Sequence, residues 1–298
     1  MQQYDAVIVG GGPAGASCAI WLARLGLDAL LVEAAGQPGG LAHDNPFNDD
    51  WIAVLPDVTG QQVAANIARS VRAAGVATRL NTVARRVVCR DGGFDVELEA
   101  EGQAMQARGR ALVIASGVRA RGLPGRPADA AWPGVLVGPG SAIMAQDYTG
   151  QSVAVLGGGD NAFENFVYVR NRGAREVHLY ARTVRAQQQW VARAGNEGVH
   201  VGQYVVDPAA RTVNGQAYDL ILVFYGWEPQ AAFADGLGLQ RDPRGYIHTD
   251  PATAETSVAG VYAIGEVANR MHPCVVTSMA DGVVAAKAIQ RRHERGAA

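Results

Sequence analysis

The residues of this 298-residue chain whose types and spacing could do chemistry gather first at two glycine turns. "AVIVGGGPAG", residues 6–15, runs from an apolar, β-branched stretch through Gly10 and Gly12 into Pro13, Ala14 and Gly15. "VAVLGGGDNA", residues 153–162, repeats the order with Gly157, Gly159, Asp160, Asn161 and Ala162. A strand, a tight turn and a helix in that order bring unpaired backbone N–H groups and the positive end of a helix dipole to one point, which suits a pyrophosphate. Two such points imply two dinucleotides and a transfer between them. The register also holds further on, with Gly26 matching Gly173. One such pattern is a weak signal, whereas two in register and in strand–turn–helix context are a strong one.

Around these turns stand a few groups with chemistry of their own. Glu33 ends the second strand of the first unit and suits the ribose hydroxyls of a dinucleotide. Ungapped alignment puts Tyr180 at the matching place in the second unit, with Arg182 and Arg185 close by, cations that suit the 2′-phosphate of NADPH. The three cysteines, Cys18, Cys89 and Cys274, lie far apart with neither C-x-x-C nor metal-ligand spacing, which argues against a disulfide framework and a zinc site. Cys18 and Cys89 read as small apolar packing residues. His272, two residues before Cys274, reads equally as a helix-capping loop histidine or as a proton-transfer group.

The elements that must position these residues follow from the pattern. "YDAVIVG", "LDALLVE" and "ALVIASG" read as buried strands and "PAGASCAIWLARLG" as a helix. "TGQQVAANIARSVRAAG" is a second helical pattern, and "RRVVCRD" with "FDVELEA" reads as a small antiparallel meander. "VRARGLPGRP", residues 118–127, is basic and rich in Gly and Pro, a candidate crossing between domains. Beyond the second unit come a turn around Asn214-Gly215, the strand "YDLILVFYG", the segment "GVYAIGEVA" and a helical pattern from about 274 to 292. A formal net charge of −2 supplies no attraction for nucleic acid or an anionic membrane. No apolar run reaches bilayer length, and the first residues lack the basic start of a signal peptide, so a soluble cytoplasmic protein is expected.

The combination "VIVGGGPAG", Glu33, "IASG", "VLGGGDNAFEN" and "VYAIGEVA" resembles the two-dinucleotide-fold flavoproteins, and among them the low-molecular-weight thioredoxin reductase family. The resemblance spans nearly the whole chain. It implies an α/β fold of two Rossmann-like, three-layer ββα domains, an NAD(P)H domain (118–226) inserted into a discontinuous FAD domain (1–117 and 227–298), and a homodimer. For FAD it implies roles for Gly10, Gly12, Pro13, Ala14, Gly15, Glu33, Gly40, Leu41, Ala115 and Gly117 in the first part of the chain. In the last part it implies Gly265, Glu266, Val275 and Val276, with Glu266 in place of the family's aspartate toward the ribityl chain. For NADPH it implies Gly157, Gly159, Asp160, Asn161, Ala162, Arg182 and Arg185.

The family's active C-x-x-C lies just before the second unit, where this chain reads "GVLVGPGSAIMAQDYTGQ", and the resemblance implies Gly138 and Ser141 as its counterparts, which cannot exchange disulfides. The expectation is therefore an NAD(P)H-dependent FAD oxidoreductase that passes hydride through flavin directly to an acceptor. That acceptor is a small molecule or a small redox protein, with the flavin as reactive group, His272 and Cys274 as the only side-chain candidates, and no metal. Two alternatives stay open: an FAD-dependent oxidase or dehydrogenase of a small organic substrate that has lost NADPH binding, and a non-catalytic FAD-bearing protein.

Overall fold

A computed structural model describes residues 3–124 and 132–296. The chain opens with β1 (Gln3–Val9), α1 (Pro13–Arg24), β2 (Ala29–Val32), α2 (Gly60–Ala73), β3 (Ala77–Arg79) and a meander of β4 (Thr82–Arg90), β5 (Gly93–Ala100) and β6 (Gln103–Ile114). It then runs through β7 (Val118–Ala120), β8 (Val135–Val137), the single turn α3 (Ser141–Met144), β9 (Ser152–Leu156), α4 (Asp160–Arg170), β10 (Glu176–Ala181), α5 (Gln188–Ala194) and β11 (Val199–Val201). Short strands β12 (Val206–Asp207), β13 (Thr212–Val213) and β14 (Gln216–Ala217) precede β15 (Leu220–Val223) and β16 (Trp227–Pro229). The chain finishes with β17 (Val261–Ala263) and α6 (Val275–Gly296).

Two compact units result: Met1–Val118 with Pro229–Ala298, and Arg119–Glu228. Part of the basic Gly/Pro-rich stretch, residues 125–127, lies outside the described residues.

In the first unit β3-β2-β1-β6 run side by side, and β17 joins the far edge of β6. β6 does two jobs. Residues 103–109 pair antiparallel with β5, whereas Ala111 to Ile114 pair parallel with Ala6 to Val9. Of the sequence "ALVIASG", Ala111–Ile114 are thus the last four residues of a twelve-residue strand whose earlier part belongs to the meander. Successive β1 side chains point to opposite faces, as a pleated strand requires. Ala6 and Ile8 pack with Leu22 of α1 and Ile289 of α6, while Val7 and Val9 pack with Phe94, Val96 and Leu98 of the meander. Burial on both faces is why β1 reads as a continuous apolar run rather than as alternation.

The second unit repeats the plan on a smaller scale. Its parallel sheet has the order β11-β10-β9-β15-β8. Val153 and Val155 face Phe163, Phe166 and Val169 of α4, and Ala154 and Leu156 face Val213 and Tyr218 on the side of the short meander. Asn214 and Gly215 both have positive φ (50° and 82°) and close the β13–β14 hairpin as a two-residue turn, which asparagine and glycine tolerate best.

Candidate functional site

In the first unit the glycine turn lies at the C-terminal end of β1, where the backbone must pass other backbone closely. A side chain on Gly10 (φ +106°) would meet the Ala115 carbonyl oxygen at 2.3 Å, and one on Gly15 would meet the Gly10 oxygen at 1.9 Å. Gly12 is the N-cap of α1, Pro13 takes the first helical position, and no side chain caps the helix. The first-turn N–H groups are therefore left to an external acceptor, an arrangement open to a phosphate. Gly40 (φ +59°) begins a 3₁₀ turn beside it, so close that a Cβ would lie 2.9 Å from the Gly12 Cα, and Leu41 follows, exposed. Ala115 donates its N–H to Val9, and Gly117 (φ +66°) ends the strand connection.

Glu33 follows β2 directly. Its two carboxylate oxygens accept from the backbone N–H groups of Gly11 (2.6 Å) and Ala35 (2.7 Å), which fixes the side chain against the glycine turn. Across α1, Gly265 (φ +71°) lies against Ala14, where a side chain would approach to 2.9 Å. The neighbouring Glu266 is half-buried, and among the described residues nothing hydrogen-bonds its carboxylate. Burial raises its pKa. A ligand hydroxyl would supply the missing donor, so these residues fit a sugar-bearing cofactor such as FAD.

The turn carrying Glu266 is held by a buried ion pair. Asp281 on α6 accepts the Gly265 N–H (3.0 Å) and meets Arg270 at 3.1 Å, and the two side chains are only 3% and 9% exposed. Burial raises the Asp281 pKa, against the pull of Arg270 and of the Gly265 N–H. Arg270 also donates to the Pro251 carbonyl. Cys274 precedes α6, and its sulfur accepts from the Thr277 N–H at 3.5 Å. Val275 starts that helix, Val276 is exposed, and the exposed His272 offers its carbonyl to the Thr277 hydroxyl. Cys18 is fully buried on α1 and its thiol is pushed up to about 12, so it is an inert packing group.

In the second unit Gly157, Arg182 and Arg185 line one cleft of about 300 Å³, at the lower end of the size of small-molecule pockets. Gly158, Thr183, Tyr204, Phe224 and Tyr225 complete its wall. The sequence reading did not single out Tyr204, Phe224 and Tyr225. The signal for Phe224 and Tyr225 was available, because both follow β15, and ligands of open α/β sheets sit at the carboxyl ends of the strands. Gly159 is the N-cap of α4, and Ala162 is buried beneath the turn. Asp160 is turned to the loop, accepting from the backbone and side-chain nitrogens of Gln187 at 2.7 and 2.8 Å. Asn161 gives its carbonyl to Asn165.

The ungapped match of Glu33 with Tyr180 is corrected by the hydrogen-bond ladder. Gly10 donates to Val32, and the equivalent Gly157 donates to Tyr180. Tyr180 is therefore the counterpart of Val32, and Ala181 is that of Glu33. Tyr180 lies buried, its hydroxyl 2.7 Å from that of Tyr218. No carboxylate follows β10, and Arg182 is the first charged side chain after it.

Among the described residues no group of three or more metal-ligating side chains comes together, and no helix is long and apolar enough to cross a membrane. Cys18, Cys89 and Cys274 are all free thiols; Cys89 is exposed rather than packed as expected, because it lies next to the β4–β5 turn, where the hairpin is open to solvent.

Comparison with known proteins agrees with this geometry. The chain is 28% identical over 306 residues to a bifunctional thioredoxin reductase/thioredoxin of Mycobacterium leprae, covering 95% of this chain and 64% of that longer protein. It is 31% identical over 294 residues to a ferredoxin–NADP reductase of Limosilactobacillus fermentum, covering 89% and 86% of the two chains. The fold matches thioredoxin reductase of Lactococcus lactis with a TM-score of 0.80 at 24% identity, over 97% of this chain and 98% of the other. It also matches bacillithiol disulfide reductase of Bacillus cereus with a TM-score of 0.81 at 19% identity, over 98% and 100%. Residues 4–282 match the family model for pyridine nucleotide-disulphide oxidoreductases. With both glycine turns in place over nearly the whole chain, this protein belongs to the pyridine nucleotide-disulphide oxidoreductase family.

Proposed function

We propose that the protein is an NADPH-dependent FAD oxidoreductase that serves its acceptor without a redox-active disulfide. The unit built from both ends of the chain holds FAD, and the inserted unit holds NADPH. The observation that carries the reading is the pairing of an uncapped glycine turn and a fixed Glu33 in one unit with a cationic glycine-turn cleft in the other. FAD, once bound, supplies hydride acceptance and return. The chain's own residues bind and orient. The α1 N-terminus faces the pyrophosphate, Glu33 the adenosine ribose, and Glu266 the ribityl hydroxyls. The start of α6 at Val275 and Val276 offers N–H groups and the positive end of a 22-residue helix to the flavin edge, where partial positive charge favours the electron-rich state.

The absence of a thiol relay separates this proposal from the relatives named as disulfide reductases. Gly138 and Ser141 stand where the family's cysteine pair is expected, and Ser141 opens the short α3. A small redox protein or a small molecule is then the direct acceptor, and a homodimer, seen as twice the chain mass in sedimentation, is the proposed assembly. The deciding experiment adds NADPH to the anaerobic, flavin-loaded protein and follows the 450 nm region. Bleaching by NADPH supports the proposal. A flavin bleached by dithionite but left oxidised by NADPH would overturn it in favour of an oxidase or a non-catalytic flavoprotein.

A further inference from the structure

The wall of the second-unit cleft holds a phenol pair that the glycine turn does not require. Tyr204, just beyond β11, donates its hydroxyl to that of Tyr225, just beyond β15, at 3.2 Å. Having accepted that hydrogen bond, the Tyr225 hydroxyl still has its own proton to donate, and no described residue accepts it. Both rings line the cleft together with Arg182. Burial raises the pKa of both phenols, against the pull of the Arg182 charge. Tyr204 and Tyr225 are also anchored from behind, packed on the core formed by Leu156, Tyr180 and Val223. A phenol that stays protonated, held by a second phenol and placed beside a guanidinium, is a donor prepared for an anion.

We infer that Tyr225, oriented by Tyr204, donates a hydrogen bond to the 2′-phosphate of NADPH beside Arg182 and helps set the preference for NADPH over NADH. The inference rests on the NADPH assignment above. In this arrangement the arginines of the cleft supply charge and the phenol supplies direction. The 2′-phosphate is favoured over the pyrophosphate because Arg182 follows the position that, in the first unit, holds the ribose-facing Glu33.

Binding of 2′,5′-ADP and of 5′-AMP to the flavin-loaded protein, measured by calorimetry, tests this without turnover. Wild type should bind 2′,5′-ADP at least tenfold more tightly than 5′-AMP. Tyr225→Phe should lose about tenfold for 2′,5′-ADP, the lower end for a hydrogen bond to a charged group, and nothing for 5′-AMP. Tyr204→Phe, which leaves Tyr225 in place but unheld, should lose roughly two- to fivefold for 2′,5′-ADP alone, a part of the full hydrogen bond, and it carries the test if Tyr225→Phe folds poorly. Equal losses for both ligands would assign the phenol to the shared 5′-phosphate or to packing and overturn the inference. Unchanged binding in both variants, with wild type still selective, overturns it too while leaving the NADPH reading intact. A wild type that fails to discriminate between the ligands overturns both.

Discussion

At the scale of single residues, the two units make separate demands on glycine that can be tested one at a time. A Cβ at position 15 would lie 1.9 Å from the Gly10 oxygen, and one at position 158 would lie 1.9 Å from the Thr183 oxygen. Both neighbours are backbone and cannot swing aside. Gly15→Ala should therefore cost about 1–3 kcal/mol of overpacking and release FAD on gel filtration. Gly158→Ala should lose NADPH binding and retain the yellow chromophore. Retention of both ligands by both variants would mean that the turns are not the cofactor sites.

Glu266 offers a second test, through pH. Burial raises its pKa above the ordinary 4.5, so in flavin-free protein its contribution to stability is full at acid pH and falls as pH climbs through the raised value. Glu266→Gln should match wild type near pH 4 in urea unfolding and exceed it at pH 7. A ribityl hydroxyl donating to the carboxylate favours the ionised form. Flavin retention should then strengthen over the same rise in pH, and the Gln variant should flatten that dependence.

At the scale of elements, the helices are set by local devices and by buried charge. α2 begins with a capping box, in which Thr59 accepts the Gln62 N–H and the Gln62 side chain accepts the Thr59 N–H. Thr59→Ala should lower stability by about 1 kcal/mol, read as a shift of the urea midpoint at constant slope. α6 is tied to the β17 turn by Asp281, which holds the Gly265 N–H and neutralises Arg270 in a site both side chains share with almost no solvent. Asp281→Asn strands that guanidinium and should cost roughly 3–5 kcal/mol, well beyond any surface ion pair of this chain. A loss below 1 kcal/mol would show that Arg270 finds another partner or reaches water.

At the scale of the whole molecule, the prediction concerns how many electrons it stores. The three free thiols include no pair in C-x-x-C spacing, and Cys18 is buried with its thiol pushed up to about 12, too high to supply a thiolate. Flavin alone should then hold about two electrons per FAD, where a flavin coupled to a disulfide holds about four. Anaerobic dithionite titration should bleach the protein at one two-electron equivalent with no lag. Thioredoxin should not be reduced at a useful rate, since its reduction needs thiol–disulfide exchange. An uptake near four electrons, or thioredoxin reduction abolished by Cys274→Ser, would restore a thiol relay and place this chain with the disulfide reductases.

The order of strand, glycine turn and helix, twice over, was readable from residues 6–15 and 153–162 because turn geometry and two-sided burial are local constraints with local signatures. Continuous apolar runs announce strands covered on both faces, and glycines announce positions where a Cβ cannot fit. What the sequence alone could not give was anything that depends on pairing across distance. The true counterpart of Glu33 is Ala181 rather than Tyr180, a shift of one residue that ladder hydrogen bonds fix and ungapped alignment cannot see. The segment "ALVIASG" contributes only Ala111–Ile114 to β6, and pairing with β5 makes the preceding polar residues extended. Tyr204 and Tyr225 are separated by a meander, and only the packing of β11 and β15 on one sheet brings their hydroxyls to 3.2 Å beside Arg182. Local chemistry writes itself into sequence; the meeting of distant side chains is decided by the tertiary fold, because hydrogen bonds and packing act through space and leave no fixed spacing along the chain.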